Sequence, residues 1–139
     1  MENKYLLGKK TYYVLLVICT LAIITLLLLP SSSFSHAPKI IFWKHSDKVA
    51  HFIVFFGESW LLFRSIEFYK AYNFKRISRI VVIFIFFFGL STEILQGITY
   101  NTAKRNFSLW DLFFDVLASI VAVAIINVLS NRLKTKKFF

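Results

Sequence analysis

The stretch Ser91–Asp115, STEILQGITYNTAKRNFSLWDLFFD, decides how the rest of the chain is read. It closes one apolar run, crosses a short polar loop and opens the next. It carries Glu93, Asp111 and Asp115, three of the seven acidic residues, together with Gln96, Lys104, Arg105 and Ser108. The sequence on either side is nearly continuous hydrocarbon. Polar groups are costly in such surroundings, so their placement is the most informative feature of the chain.

Working outward, the 139 residues suffice for one domain, 1–139. The chain is 58% hydrophobic and 19% aromatic. A soluble domain is about 45–50% apolar, so this chain has more apolar surface than so small a core can hide. The composition therefore predicts an integral membrane protein. The net charge of +10 lies between apolar runs rather than on one soluble face. It reads as membrane-flanking charge, with membrane lipids as partners and no nucleic acid. Cys19, the single cysteine, allows no internal disulfide or cysteine metal cluster and reads as a small packing residue.

Four apolar runs are long enough to span as helices, at about residues 12–29, 47–66, 80–98 and 109–129. A Lys-rich head before Tyr12–Leu29 also fits a signal peptide. The run exceeds the usual hydrophobic region of about 7–15 residues, however, and Pro38 follows the weak Ser35-His36-Ala37 site, so an uncleaved first helix is expected. Pro30 and the serines after it stop that helix. Ser31–Ser46 is amphipathic and is expected on the membrane surface. Ala71–Arg79 reads as a basic connector. Ser108 and Asp111 form an S-x-x-D start signal: a hydroxyl to cap an early N–H and a carboxylate at the positive helix end. The expected fold is an all-α four-helix transmembrane bundle. Twelve of the 17 Lys and Arg residues fall in the head, the Arg64–Arg79 connector and the tail, and five on the opposite side. Positive-inside bias then places both termini in the cytoplasm and Thr99–Phe107 outside.

Helix rise of about 1.5 Å per residue puts three ionisable groups at one level. His51 lies four residues after Asp47, Asp115 four after Asp111, and Glu93 five before Ile98. Each is thus roughly 6–8 Å from the outer helix ends. Gln96 is one turn above Glu93, and Lys48, Lys104, Arg105 and Ser108 lie just above. Such groups facing each other share protons, pair with Lys or Arg, or hydrate from the surface. An outward-open polar pocket between the second, third and fourth helices is expected, lined by Asp47, Lys48, His51, Glu93, Gln96, Arg105, Ser108, Asp111 and Asp115.

The spacing D-K-x-x-H, then E-x-x-Q, then R-x-x-S-x-x-D-x-x-x-(N/D) resembles the VanZ-like family of small bacterial membrane proteins. The residues carrying it are Asp47, Lys48, His51, Glu93, Gln96, Arg105, Ser108, Asp111 and Asp115, and the resemblance covers about residues 47–125. The chain departs from the family pattern at Asp115, usually Asn, and at Ala118 and Ala122, usually Gly. The alanines keep small residues at i and i+4, suited to close helix packing. The resemblance implies a protein of the bacterial cytoplasmic membrane, and it implies the family's association with resistance to the glycopeptide teicoplanin. It supplies no biochemical mechanism.

The site admits several readings. It is a pocket for a lipid headgroup, a cell-wall precursor or an amphiphilic antibiotic; an enzyme centre on such a lipid, with His51 and Glu93 doing the work; or a structural polar network in a small transporter subunit, which four helices would make a homo-oligomer. A carboxylate–histidine pair suits a general base, but no activated nucleophile stands out, so the reading leans away from catalysis. His51, Asp47, Glu93 and Asp115 suit a divalent ion in type, but no H-E-x-x-H or cysteine pair is present, so neither a metal nor another cofactor is assigned. Glu58 falls about 16 Å below Asp47, where a hydrogen bond to a neighbouring helix is expected. Arg64 is expected to snorkel, and the Phe84–Phe88 run to face lipid or pack.

Overall fold

The computed structural model describes residues 8–29, 46–68, 72–99 and 106–135. They form four helices, α1 (Lys9–Leu28), α2 (Ser46–Glu67), α3 (Phe74–Ile98) and α4 (Leu109–Thr135). Each contains a segment long and apolar enough to cross a membrane. The chain is an all-α four-helix bundle with the character of a multi-pass membrane protein.

α2 is the hub. It packs most extensively on α4 and also touches α1 and α3, and α3 closes against α4. α1 is peripheral: 11% of its spanning segment is buried, against 33% in each of the other three. Phe55 and Phe63 of α2 meet Ile77, Val81 and Ile85 of α3 and Ala118 and Ile126 of α4. Ring contacts extend this seam, Phe55 to Phe88 at 5.7 Å and Phe63 to Phe74 at 5.1 Å between centroids. Ala118 and Ala122 are fully buried, so the i, i+4 small face is used for packing.

The outside of the bundle is hydrocarbon. Ile53, Phe87, Ile98 and Trp110 are each more than half exposed. A continuous apolar exterior of this kind suits acyl chains and would drive aggregation in water. Within the Phe run, Phe84, Phe86 and Phe87 point outward, while Phe88 packs on the core. Among the described residues, buried polar side chains are nearly as numerous as buried apolar ones.

Two helix ends differ from the sequence reading. α3 begins at Phe74, six residues before the apolar run at Ile80. Asn73 caps it, its side chain accepting the Arg76 N–H at 2.9 Å. Most of the expected basic connector is therefore helix, with Lys75, Arg76 and Arg79 on its exposed first turns. α4 likewise continues to Thr135 rather than ending near Leu129. Hydropathy marks where hydrocarbon ends, whereas helical hydrogen bonding continues through Lys, Arg and Asn. Arg64 is held by Glu67 at 2.7 Å and lies over the Trp60 ring at 5.4 Å. The segment 31–45, expected on the membrane surface, lies outside the described residues.

Candidate functional site

The start of α2, the end of α3 and the start of α4 share one end of the bundle, because antiparallel neighbours alternate direction. His51 lies five residues after Ser46, Glu93 five before Ile98, and Asp115 six after Leu109. Nearly equal spacing from shared helix ends brings the three side chains to one level. All three are fully buried.

Their contacts form a defined network. His51 Nδ1 lies 2.9 Å from Asp115 Oδ1, joining α2 to α4. The Ser108 backbone N–H donates to Glu93 Oε2 at 2.8 Å, joining the end of α3 to the start of α4. The reason is local: N–H groups at a helix start have no intrahelical acceptor, and a carboxylate is the strongest substitute. Ser108 Oγ accepts the Asp111 N–H at 3.3 Å, so the expected cap is formed. Lys48 Nζ donates to Asp111 Oδ1 at 3.1 Å, a second tie from α2 to α4. His51 also stacks on Phe55, with ring centroids 6.1 Å apart.

Gly89 makes room for Asp115. A Cβ there would stand 2.7 Å from Asp115 Oδ2 and 3.2 Å from Leu112 Cδ1. The carboxylate thus occupies the space over a glycine one turn before Glu93. The sequence reading did not single out Gly89. A glycine four residues from a buried acid was the available signal, and only the packing of α3 on α4 gives it meaning.

After these bonds, several buried polar atoms have no hydrogen-bond partner among the described residues: Glu93 Oε1, Asp115 Oδ2 and Gln96 Nε2. One donor atom from each of His51, Glu93 and Asp115 lies within 4.8 Å of the other two. An imidazole and two carboxylates at that separation have the chemistry to bind a cation, or to accept protons and polar hydrogens from a ligand.

Of the residues expected to line a pocket, the structure joins His51, Glu93 and Asp115, pairs Lys48 with Asp111, and ties Ser108 to Glu93. Gln96 is buried one turn from Glu93. The side chain of Asp47, on the first turn of α2, and all of Arg105 lie outside the described residues. His51, Glu93, Gln96, Asp111 and Asp115 are buried, while Lys48 and Ser108 are partly exposed.

A second polar site lies deeper. Thr20 Oγ1 of α1 donates to Glu58 Oε1 of α2 at 2.6 Å, the interhelical hydrogen bond expected for Glu58. Cys19 borders the same carboxylate. No family model, curated protein or solved structure matches the chain.

Proposed function

We propose that this chain is a VanZ-like integral membrane protein of the bacterial envelope, resident in the cytoplasmic membrane with both termini cytoplasmic. Its α2–α3–α4 cluster receives the polar headgroup of an envelope lipid, a cell-wall precursor or a glycopeptide-type antibiotic from the outer side. One observation carries this reading: Glu93 Oε1, Asp115 Oδ2 and Gln96 Nε2 are buried hydrogen-bonding atoms left over after the helices have been tied together. A network serving only to set helix register would satisfy its own members, because an unpaired buried polar group costs about 1–3 kcal/mol. The partly exposed Lys48 gives a route of approach at the same end.

Native mass spectrometry of gently extracted protein tests the proposal. Wild type retains a lipid or precursor of defined mass, and Gln96→Leu and Arg105→Lys lose it without loss of helicity. Arg105→Lys replaces a planar bidentate donor with a point charge, so capture of a phosphate or carboxylate suffers while folding does not. Equal retention in wild type and both variants contradicts a headgroup site. Sidedness is read from single cysteines at Asn73 and Thr102 in a Cys19→Ser background. Impermeant reagent labels position 102, and labelling of 73 instead reverses the topology.

A second reading rests on the His51–Asp115 contact at 2.9 Å. A carboxylate that orients an imidazole is the usual arrangement of a general base, so the same site suits hydrolysis of an envelope lipid. Turnover by purified protein that disappears in His51→Gln separates this reading from binding alone.

A further inference from the structure

We propose that His51, Glu93 and Asp115 bind one divalent transition-metal ion of the zinc class between α2, α3 and α4. The donor atoms come from three different helices and lie within 4.8 Å of one another. Donors around zinc at about 2.0–2.2 Å stand roughly 3–3.5 Å apart, so small side-chain rotations close the sphere. His51 Nδ1 and Asp115 Oδ1, hydrogen-bonded at 2.9 Å, hold the imidazole beside the free Asp115 Oδ2. No spaced metal motif marks the site, because no two of these ligands share a helix.

Charge and burial point the same way. Glu93 and Asp115 are fully buried, and among the described residues neither pairs with a Lys or Arg. Lys48, on the first turn of α2, is committed to Asp111. Each buried carboxylate keeps one oxygen without a hydrogen-bond partner among the described residues, Glu93 Oε1 and Asp115 Oδ2. A divalent ion matches two carboxylates and a neutral imidazole in charge. It also uses the oxygens that hydrogen bonding leaves over. Calcium and magnesium fit less well, since they favour six or more oxygen ligands and the set contains an imidazole. Three protein ligands leave a fourth position open on a four-coordinate ion, as in sites that bind substrate or water.

The consequence deepens the headgroup reading and rests on it. The two carboxylates alone accept hydroxyl or ammonium hydrogens of a headgroup but repel its phosphate or carboxylate, whereas the same floor carrying a divalent cation attracts those anions. Ion binding itself does not require that reading.

The test uses tag-free full chain in detergent, stripped with chelator, exposed to zinc chloride and desalted. The expected result is about one zinc per chain by elemental analysis, with a higher Tm than the stripped protein. His51→Ala and Asp115→Asn each lower retained zinc at least tenfold, and Glu58→Gln, away from the cluster, keeps it. If Asp115→Asn loses helicity, Glu93→Gln replaces it, since its amide oxygen still accepts the Ser108 N–H. Wild type that keeps less than about a tenth of an equivalent overturns the proposal, as does equal zinc in wild type and a folded triad variant. Lipid retained equally by zinc-free and zinc-loaded wild type overturns the ion's part in headgroup capture and leaves the headgroup reading standing. Zinc retained with no lipid does the reverse.

Discussion

Among the described residues the bundle buries carboxylates in two places, and they are solved differently. Glu58 sits deep between α1 and α2 and meets a threonine hydroxyl at 2.6 Å. Glu93 and Asp115 sit near one end, between three helices, with a histidine and spare oxygens. The deep site is one acid with a neutral donor, on the loosely packed side of the bundle. The end site gathers three ionisable groups on the tightly packed side, where α2, α3 and α4 meet. A lone acid hydrogen-bonded across helices accounts for itself as packing. Three converging acid–base groups with acceptors to spare are left with polar atoms that helix packing alone does not use, which is what the proposed ion or headgroup would take up.

Substitutions break the comparison in a definite order. His51→Leu has the largest effect, leaving Asp115 without its imidazole partner in a dry interior, at a cost of about 3–5 kcal/mol. Reversible unfolding in mixed micelles measures it, and a loss no greater than that of Glu58→Gln would place the two sites in one class. Gly89→Ala comes next. Its methyl group meets Asp115 Oδ2 at 2.7 Å and Leu112 at 3.2 Å, so overpacking costs about 1–3 kcal/mol. The same substitution lowers zinc retention by displacing a ligand oxygen, which elemental analysis reads directly.

The deep site responds less. Thr20→Val removes the hydroxyl donor to Glu58, and interhelical hydrogen bonds of this kind are worth about 0.6 kcal/mol, with a maximum near 1.7. A double-mutant cycle of Thr20→Val with Glu58→Gln gives the coupling, and a value above about 2 kcal/mol would mark Glu58 as more than a packing contact. Glu67→Gln has the smallest effect. The Arg64–Glu67 contact at 2.7 Å is an i, i+3 pair on one helix, and a glutamine amide oxygen still accepts from the guanidinium, so the loss is about 0.5 kcal/mol.

Much of this was legible in advance for a physical reason. Membrane spanning depends on run length and hydropathy, both local properties, so four helices follow from counting apolar residues. Helix rise is also nearly constant, which is why spacing from the helix ends placed His51, Glu93 and Asp115 at one depth. The start of α3 at Phe74 was not legible. Lys75, Arg76 and Arg79 look like a loop to hydropathy, yet they propagate a helix that Asn73 caps. The tie from Ser108 N–H to Glu93 was not legible either, because it depends on which carboxylate the returning chain meets.

The sequence by itself determined an all-α membrane bundle, its polar residues and their depth, because length, hydropathy and rise act along one helix at a time. Tertiary structure alone decided which partner each polar group takes. Lys48 pairs with Asp111 rather than with the triad, and Asp115 lies over Gly89. Glu58 finds Thr20 on α1. These choices depend on how the helices are rotated against one another, and that rotation is set by the joint packing of side chains from all four.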